Sequence, residues 1–204
     1  MAAFLGNLRN VVIVSFIFAI IFIASYYMVL APAAGPAHFW QAIFRWLHVI
    51  FGIMWIGLLW YFNFVQTRMM PQIPAELRPA VSKYIAPEAL FWFRYGALFT
   101  WIMGVILAYS RGYLLGAYTL GASEGFASKP DILMGVGMWL GTIMFINVWV
   151  FIWPNQKKIL GLVEATDEEK AKAGPIAGQA SRINTLLSIP MLVAMTMHQT
   201  MTGS

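Results

Sequence analysis

Trp46-Leu-His-Val-Ile-Phe-Gly-Ile-Met-Trp-Ile-Gly-Leu-Leu-Trp-Tyr-Phe-Asn-Phe-Val65 runs for twenty residues without a formal charge. About 20 apolar residues are what a helix needs to cross a hydrocarbon core of ~30 Å. Inside that core every backbone N–H and C=O has to be satisfied within the segment, which a helix does by itself. Composition extends the argument to the whole chain. Of 204 residues, 60% are hydrophobic and 10% are charged, where a soluble domain carries ~25% charge. The fold class expected is therefore all-α, an integral membrane bundle with the lipid bilayer as its first partner.

Five spans are read from the pattern: 11–30, 46–65, 89–109, 132–153 and 183–201, within one transmembrane domain covering 1–204. Pro154 is expected to end the fourth. The Ala31-Pro-Ala-Ala-Gly35 segment resembles a signal-peptide cleavage region. The apolar run before it is longer than the 7–15 residues of a typical signal core, so a retained anchor is expected. Arg9, the segment 66–88 (Arg68, Arg78, Lys83) and the segment 155–182 (Lys157, Lys158, Lys170, Lys172, Arg182) fall on one side of a five-span threading. Arg45, Arg111 and Lys129 fall on the other. The excess of basic residues places the N-terminus inside and the C-terminus outside, in a multi-pass protein of a bacterial inner membrane. The segment from Pro74 to Pro87 is read as lying along the inner interface.

The absence of Cys excludes disulfides, iron–sulfur clusters, thiolate catalysis and the C-x-x-C-H attachment of c-type haem. No basic face remains once the spans are removed, so nucleic acid is not a partner. No nucleophile–base pair, phosphate loop or paired carboxylate stands out, and none of the acidic residues lies within a span. The acidic run Glu164–Glu169 is read as a solvated turn and helix start.

The three histidines carry the candidate chemistry. His48 lies one turn inside the start of span two, and His198 lies near the end of span five. The two spans run in opposite directions, so both side chains reach roughly 5 Å inside the outer boundary at 1.5 Å rise per residue. His48, Gly52, Trp55, Leu59 and Gln66 share one helical face, as do Asn184, Ser188, Met191, Met195 and His198. Polar faces of this kind turn into the bundle, because lipid does not solvate them. Two inward imidazoles at one depth suit the axial positions of a haem b. Gly52, one turn from His48, offers bare backbone to a flat macrocycle, and Arg45 and Arg111 are placed to pair with its carboxylates. An interfacial histidine that only hydrogen-bonds competes with this reading at each position. His38 is expected in the first outer loop.

The other signals have quieter explanations. Gly137-x-x-x-Gly141 marks close helix packing, and Asn147 an interhelical hydrogen bond. Arg94 is expected to snorkel to the inner surface. Met191, Met195, Met197 and Met201 beside His198 offer soft ligands for copper, although Met is also ordinary filler.

Three pieces together resemble the membrane N-terminal domain of the bacterial urate oxidase (urate hydroxylase) that is fused to cytochrome c. They are Arg45-Trp-Leu-His-Val-Ile-Phe-Gly-Ile-Met-Trp-Ile-Gly-Leu-Leu-Trp-Tyr-Phe-Asn-Phe64, Ile152-Trp-Pro-Asn-Gln-Lys-Lys-Ile-Leu160 and Ser181-Arg-Ile-Asn-Thr-Leu-Leu-Ser-Ile-Pro-Met191. Leu47–Gly52 is also similar, over a short stretch, to haem-binding membrane protoporphyrinogen oxidases and to copper-resistance D-type membrane proteins. The resemblance implies a helical membrane scaffold in a redox setting, with His48 and His198 as haem ligands. A chain without C-x-x-C-H lacks the family's cytochrome c acceptor, so electrons are expected to leave to a separate cytochrome or another membrane subunit. The functional expectation is a b-type haem protein in electron transfer, belonging to or serving a larger redox complex. The alternatives are a membrane oxidase of a small molecule such as urate or a porphyrin, a copper-handling protein, and a structural subunit.

Overall fold

The computed structural model describes residues 5–127 and 129–202, with the side chains of 30–34, 129, 130 and 198–202 outside the described set. All regular structure among the described residues is helical. Helix α1 (Leu8–Ala34) stops at Gly35, whose φ of +81° breaks the ladder. Pro36 then opens α2 (Pro36–Trp60), since a proline at the first helical position loses no needed hydrogen bond. The outer loop expected before span two thus shrinks to a single residue. His38, expected in that loop, is an exposed residue of the first turn of α2.

Beyond Trp60 the helix continues through a π-helical segment, Tyr61–Gln66, and short turns to Gln72, a run of 37 residues. At 1.5 Å per residue such a run reaches ~55 Å and overshoots a bilayer core. The expected interfacial stretch from Pro74 to Pro87 is likewise mostly helix. The chain turns at residues 73–77, where Arg78 donates from Nε to the Ile73 carbonyl (2.9 Å) and from a terminal nitrogen to that of Pro71 (3.2 Å). Helix then resumes at Arg78, passes through a π segment (Val81–Ile85) and becomes α3 (Ala86–Ser110). After α4 (Leu114–Tyr118) comes α5 (Lys129–Asn147).

Pro154 does not end the fourth span. A third π segment, Val148–Ile152, directly precedes α6 (Trp153–Ile159), and the helix runs on past the proline. Proline clashes with the carbonyl four residues back and cannot donate to it. Widening the turn ahead of it removes both conflicts. The π segment Val81–Ile85 stands in the same relation to Pro87.

The last helix, α7 (Asp167–Thr202), is 36 residues long. Thr166 and Glu169 cap its start reciprocally: Glu169 N–H donates to Thr166 Oγ1 (3.2 Å), and Thr166 N–H donates to Glu169 Oε2 (2.9 Å). Among the described residues, four helical runs are long and apolar enough to cross a membrane: Leu8–Val29, Pro36–Gln72, Arg78–Ser110 and Asp131–Ile159. These suggest a membrane protein and match the first four expected spans. The fifth, 183–201, lies inside α7, and its last side chains fall outside the described residues.

The chain divides into two compact units, Met1–Ile43 and Phe44–Ser204. Within the first, α1 is apolar on all sides and no residue of its most hydrophobic window is buried, the signature of a helix that faces lipid. Within the second, Trp55, Leu59, Phe93, Met144, Val148 and Ile152 form the heart of the core.

A buried amide pair joins α5 to α7. Asn147 Nδ2 donates to Asn184 Oδ1 (2.8 Å) and to the Ala180 carbonyl (2.9 Å), while Asn184 Nδ2 donates to the Met144 carbonyl (3.0 Å). The expected role of Asn147 is thus realised, with its partner identified. Gly137 approaches Ala194 and Met195 so closely that an added Cβ would lie 3.1 Å from that of Ala194. Gly141 meets nothing. The tightest packing falls instead at Gly135, against the Ala117 carbonyl.

Candidate functional site

His48 lies on α2 with its ring against α3. Its Nδ1 is 2.8 Å from the carbonyl oxygen of Thr100. A carbonyl can only accept, so Nδ1 carries the hydrogen and the neutral ring keeps its lone pair on Nε2. That is the tautomer a metal-ligating imidazole needs, with a backbone carbonyl fixing its orientation. Thr100 is itself held, its hydroxyl donating to the Gly96 carbonyl (2.7 Å).

Room for the ring comes from Gly104. A Cβ there would stand 2.8 Å from His48 Nδ1 and 2.9 Å from its Cε1. One turn along α2, a Cβ added at Gly52 would stand 3.7 Å from the Thr100 methyl. A further turn on, a Cβ added at Gly96 of α3 would stand 3.3 Å from the Trp55 backbone nitrogen. These pairings, 48 with 104, 52 with 100 and 55 with 96, set α2 and α3 antiparallel in tight register. The α3 sequence Gly96-x-x-x-Thr100-x-x-x-Gly104 is a doubled small-residue repeat. It is the signal by which Thr100 and Gly104 could have been found beside His48.

The inward stripe expected on α2 is present: Trp55 and Leu59 are 2% and 0% exposed, and His48 and Gly52 are half-buried. The stripe on α7 is equally clear, with Asn184 and Ser188 at 0% and Met191 at 7%. Trp60 Nε1 donates to Ser188 Oγ (3.1 Å) and Asn63 Nδ2 to Ser181 Oγ (2.8 Å), so the end of α2 and the π segment after it are tied to α7. Trp55 Nε1 is buried without a hydrogen-bond partner. His198 falls on α7, and its side chain lies outside the described residues. Met191 and Met195 pack in or against the core, as filler does.

Arg45, half-buried one turn before His48, is close enough to exposed Arg111 for the two charges to repel. Neither makes an ion pair among the described residues. Both act on the Tyr113 phenol. Burial pushes its pKa above the usual range, Arg111 and then Arg45 pull it back, and Asp131 pushes it up further. Two guanidinium charges that act on one phenol would favour a nearby anion. With the His48 tautomer, the residue types suit a haem: an imidazole nitrogen for iron and cations for its carboxylates. No cluster of three or more His, Cys, Asp or Glu that could hold a bare metal ion occurs among the described residues.

Arg94, expected to snorkel to the inner surface, packs on aromatic rings. Its guanidinium stacks 3.8 Å above the Trp153 ring, with the Tyr95 and Phe91 rings at 5.2 and 5.3 Å. The rings hold the cation beside α6 in place of a carboxylate.

One comparison bears on the segment that carries the α5–α7 seam, Asn147, Asn184 and the Trp153–Pro154 junction. Residues 108–203 match the family described as urate oxidase N-terminal. That is a little under half of the chain, and it contains two of the three resembling pieces, 152–160 and 181–191. The resemblance read from those two pieces agrees with this match. The His48 piece, 45–64, lies outside it. No curated protein and no solved structure matches the chain.

Proposed function

We propose that this chain, related to urate oxidase systems, is a b-type haem protein of a bacterial inner membrane that passes electrons within a larger redox complex. The observation that carries the reading is the His48–Thr100 hydrogen bond, which leaves Nε2 as the free nitrogen of a ring held in place. His48 would be one axial ligand and His198 the other. Arg45 and Arg111 would hold the propionates, assisted by Tyr113, and Gly52 would leave backbone bare beside them. Bound haem would supply one-electron redox chemistry. The chain's own groups would orient the imidazole and neutralise the carboxylates. Five spans, with the N-terminus inside and the C-terminus outside, would put this site near the outer face. There a separate cytochrome could collect the electron.

The test is a reduced-minus-oxidised optical spectrum of the detergent-purified protein and of His48→Ala and His198→Ala. A b-type signal lost in both variants is the expected result. A signal unchanged in both refutes the assignment. The family match favours a second reading, a membrane oxidase of a small molecule. Turnover of urate by the purified chain without any b-type signal would select it, and copper without haem in metal analysis would select copper handling.

A further inference from the structure

The Trp153 ring carries two cations. The Arg94 guanidinium stacks 3.8 Å from its centroid, and Lys157 Nζ stands 5.8 Å from the same centroid. The two charges therefore lie within about 10 Å of each other, no farther than the screening length at ~0.1 M salt. Neither side chain makes a hydrogen bond or ion pair among the described residues. The carboxylates closest in the chain are taken elsewhere: Glu169 pairs with Lys158 (3.7 Å), and Glu88 accepts from Trp92 Nε1 (2.9 Å). Among the described residues, the buried side-chain nitrogens without a partner are the indole nitrogens of Trp55 and Trp149. The unpartnered N–H groups of half-buried Arg94 and Lys157 therefore reach the surface. Guanidinium donors lie in the plane of the group, so stacking on a ring leaves them pointing outward at its edge.

The pair sits near one end of the membrane-crossing runs. Arg94 is ~12 Å along α3 from its start at Ala86, and Lys157 lies just before the end of the run Asp131–Ile159. The surround is apolar and exposed: Phe91, whose ring is 5.3 Å from the Arg94 cation, and Val150 and Ile146, about one and two turns back from Trp153. Cations facing lipid are costly and are paired where they occur. An arginine that only snorkels has no use for a second cation on the same ring, because the two repel. The partner that relieves them brings a negative charge and an apolar body. We infer that Arg94 and Lys157 together hold the headgroup phosphate of one anionic phospholipid, with an acyl chain laid along Phe91, Val150 and Ile146. The guanidinium fork gives two parallel N–H bonds to phosphate oxygens, and the ammonium adds a point charge. The inference rests on the chain crossing a bilayer and is independent of the haem.

The test is native mass spectrometry of the full detergent-purified chain titrated with palmitoyl-oleoyl phosphatidylglycerol and with the phosphatidylcholine of the same chains, whose phosphate charge is cancelled by choline. One saturable phosphatidylglycerol is expected, held ~10-fold or more tighter than phosphatidylcholine, and Arg94→Gln and Lys157→Gln should each weaken it ~5-fold. Lys172→Gln, at an exposed residue already paired with Glu168 (2.6 Å), should change nothing. His48→Ala should change nothing either, which keeps the result apart from the haem reading. Should Arg94→Gln fail to fold, Lys157→Gln carries the test, because Lys157 lies outside the core. Equal affinity for the two lipids, undiminished binding in the folded variants of Arg94 and Lys157, or an equal loss in Lys172→Gln would overturn the inference. Glycerol phosphate binding as tightly as the lipid would assign the site to a soluble anion and would overturn it as well.

Discussion

Replacing Gly104 by alanine tests the histidine site without touching any of its polar groups. The new methyl would stand 2.8 Å from His48 Nδ1 and 2.9 Å from Cε1, so the ring has to retreat by ~0.5 Å or more to restore ordinary contact. Retreat stretches the 2.8 Å bond to Thr100, and losing a hydrogen bond of this kind costs ~1–2 kcal/mol. Overpacking adds ~1–3 kcal/mol. Against this, alanine in place of glycine inside a helix gains ~1 kcal/mol. The net expectation is a loss of roughly 1–4 kcal/mol, or ~2–4 °C of melting temperature per kcal/mol for a chain this size. In a His48→Ala background there is no ring to displace, and the same change should stabilise by up to ~1 kcal/mol. The sign reverses, and the coupling is roughly 2–5 kcal/mol. Thermal unfolding of the four purified proteins, followed by circular dichroism, measures it. If Gly104→Ala shifts the midpoint equally in both backgrounds, the ring does not lie on Gly104 and the site as drawn is wrong.

Asn184→Leu should cost ~1–3 kcal/mol because it strands the Asn147 amide in the α5–α7 seam, whereas Asn147→Leu with Asn184→Leu should recover most of the loss; unfolding midpoints of the three variants check this. The Glu169 carboxyl is held below its ordinary pKa, first by the Thr166 backbone N–H and then by Lys158. A depressed carboxylate stabilises above its unfolded pKa and loses that contribution as pH falls through the folded value. Acid titration of helicity should therefore show α7 weakening below about pH 4.5, with a flatter acid limb in Glu169→Gln. For Tyr113, Arg111→Gln should push the phenol pKa up further and Asp131→Asn should bring it down, read as the phenolate absorbance difference against Tyr113→Phe in each background. Pro154→Ala removes the reason for the preceding π segment. Hydrogen exchange should then slow across Val148–Ile152, with no change at Tyr61–Gln66.

Much of this could be read from periodicity. The α2 stripe from His48 to Leu59 and the α7 stripe from Asn184 to Met195 are one-helix properties, and both proved inward. Asn147 was legible because a lone amide in an apolar helix has few places to go. His38 and the two expected loops were not. Gly35–Pro36 compresses one connection to a single residue, and the Arg78 bonds to Ile73 and Pro71 fold the other into a turn. Pro154 misled for a related reason, since the rule that proline ends a helix assumes an α-helical turn before it. The aromatic partners of Arg94 were not legible because they sit on two different elements.

The sequence by itself determined that apolar helices of membrane-crossing length would form and which stripe of each would turn away from lipid. Both follow from the transfer cost of side chains spaced at 3.6 residues. Only the tertiary structure decided that Thr100 and Gly104 receive His48, that the ring therefore keeps its lone pair on Nε2, and that the charges of Arg45 and Arg111 both act on Tyr113. Those outcomes depend on the register between helices distant in the chain. That register is set by where glycine lets two backbones approach, and no single helix carries the information.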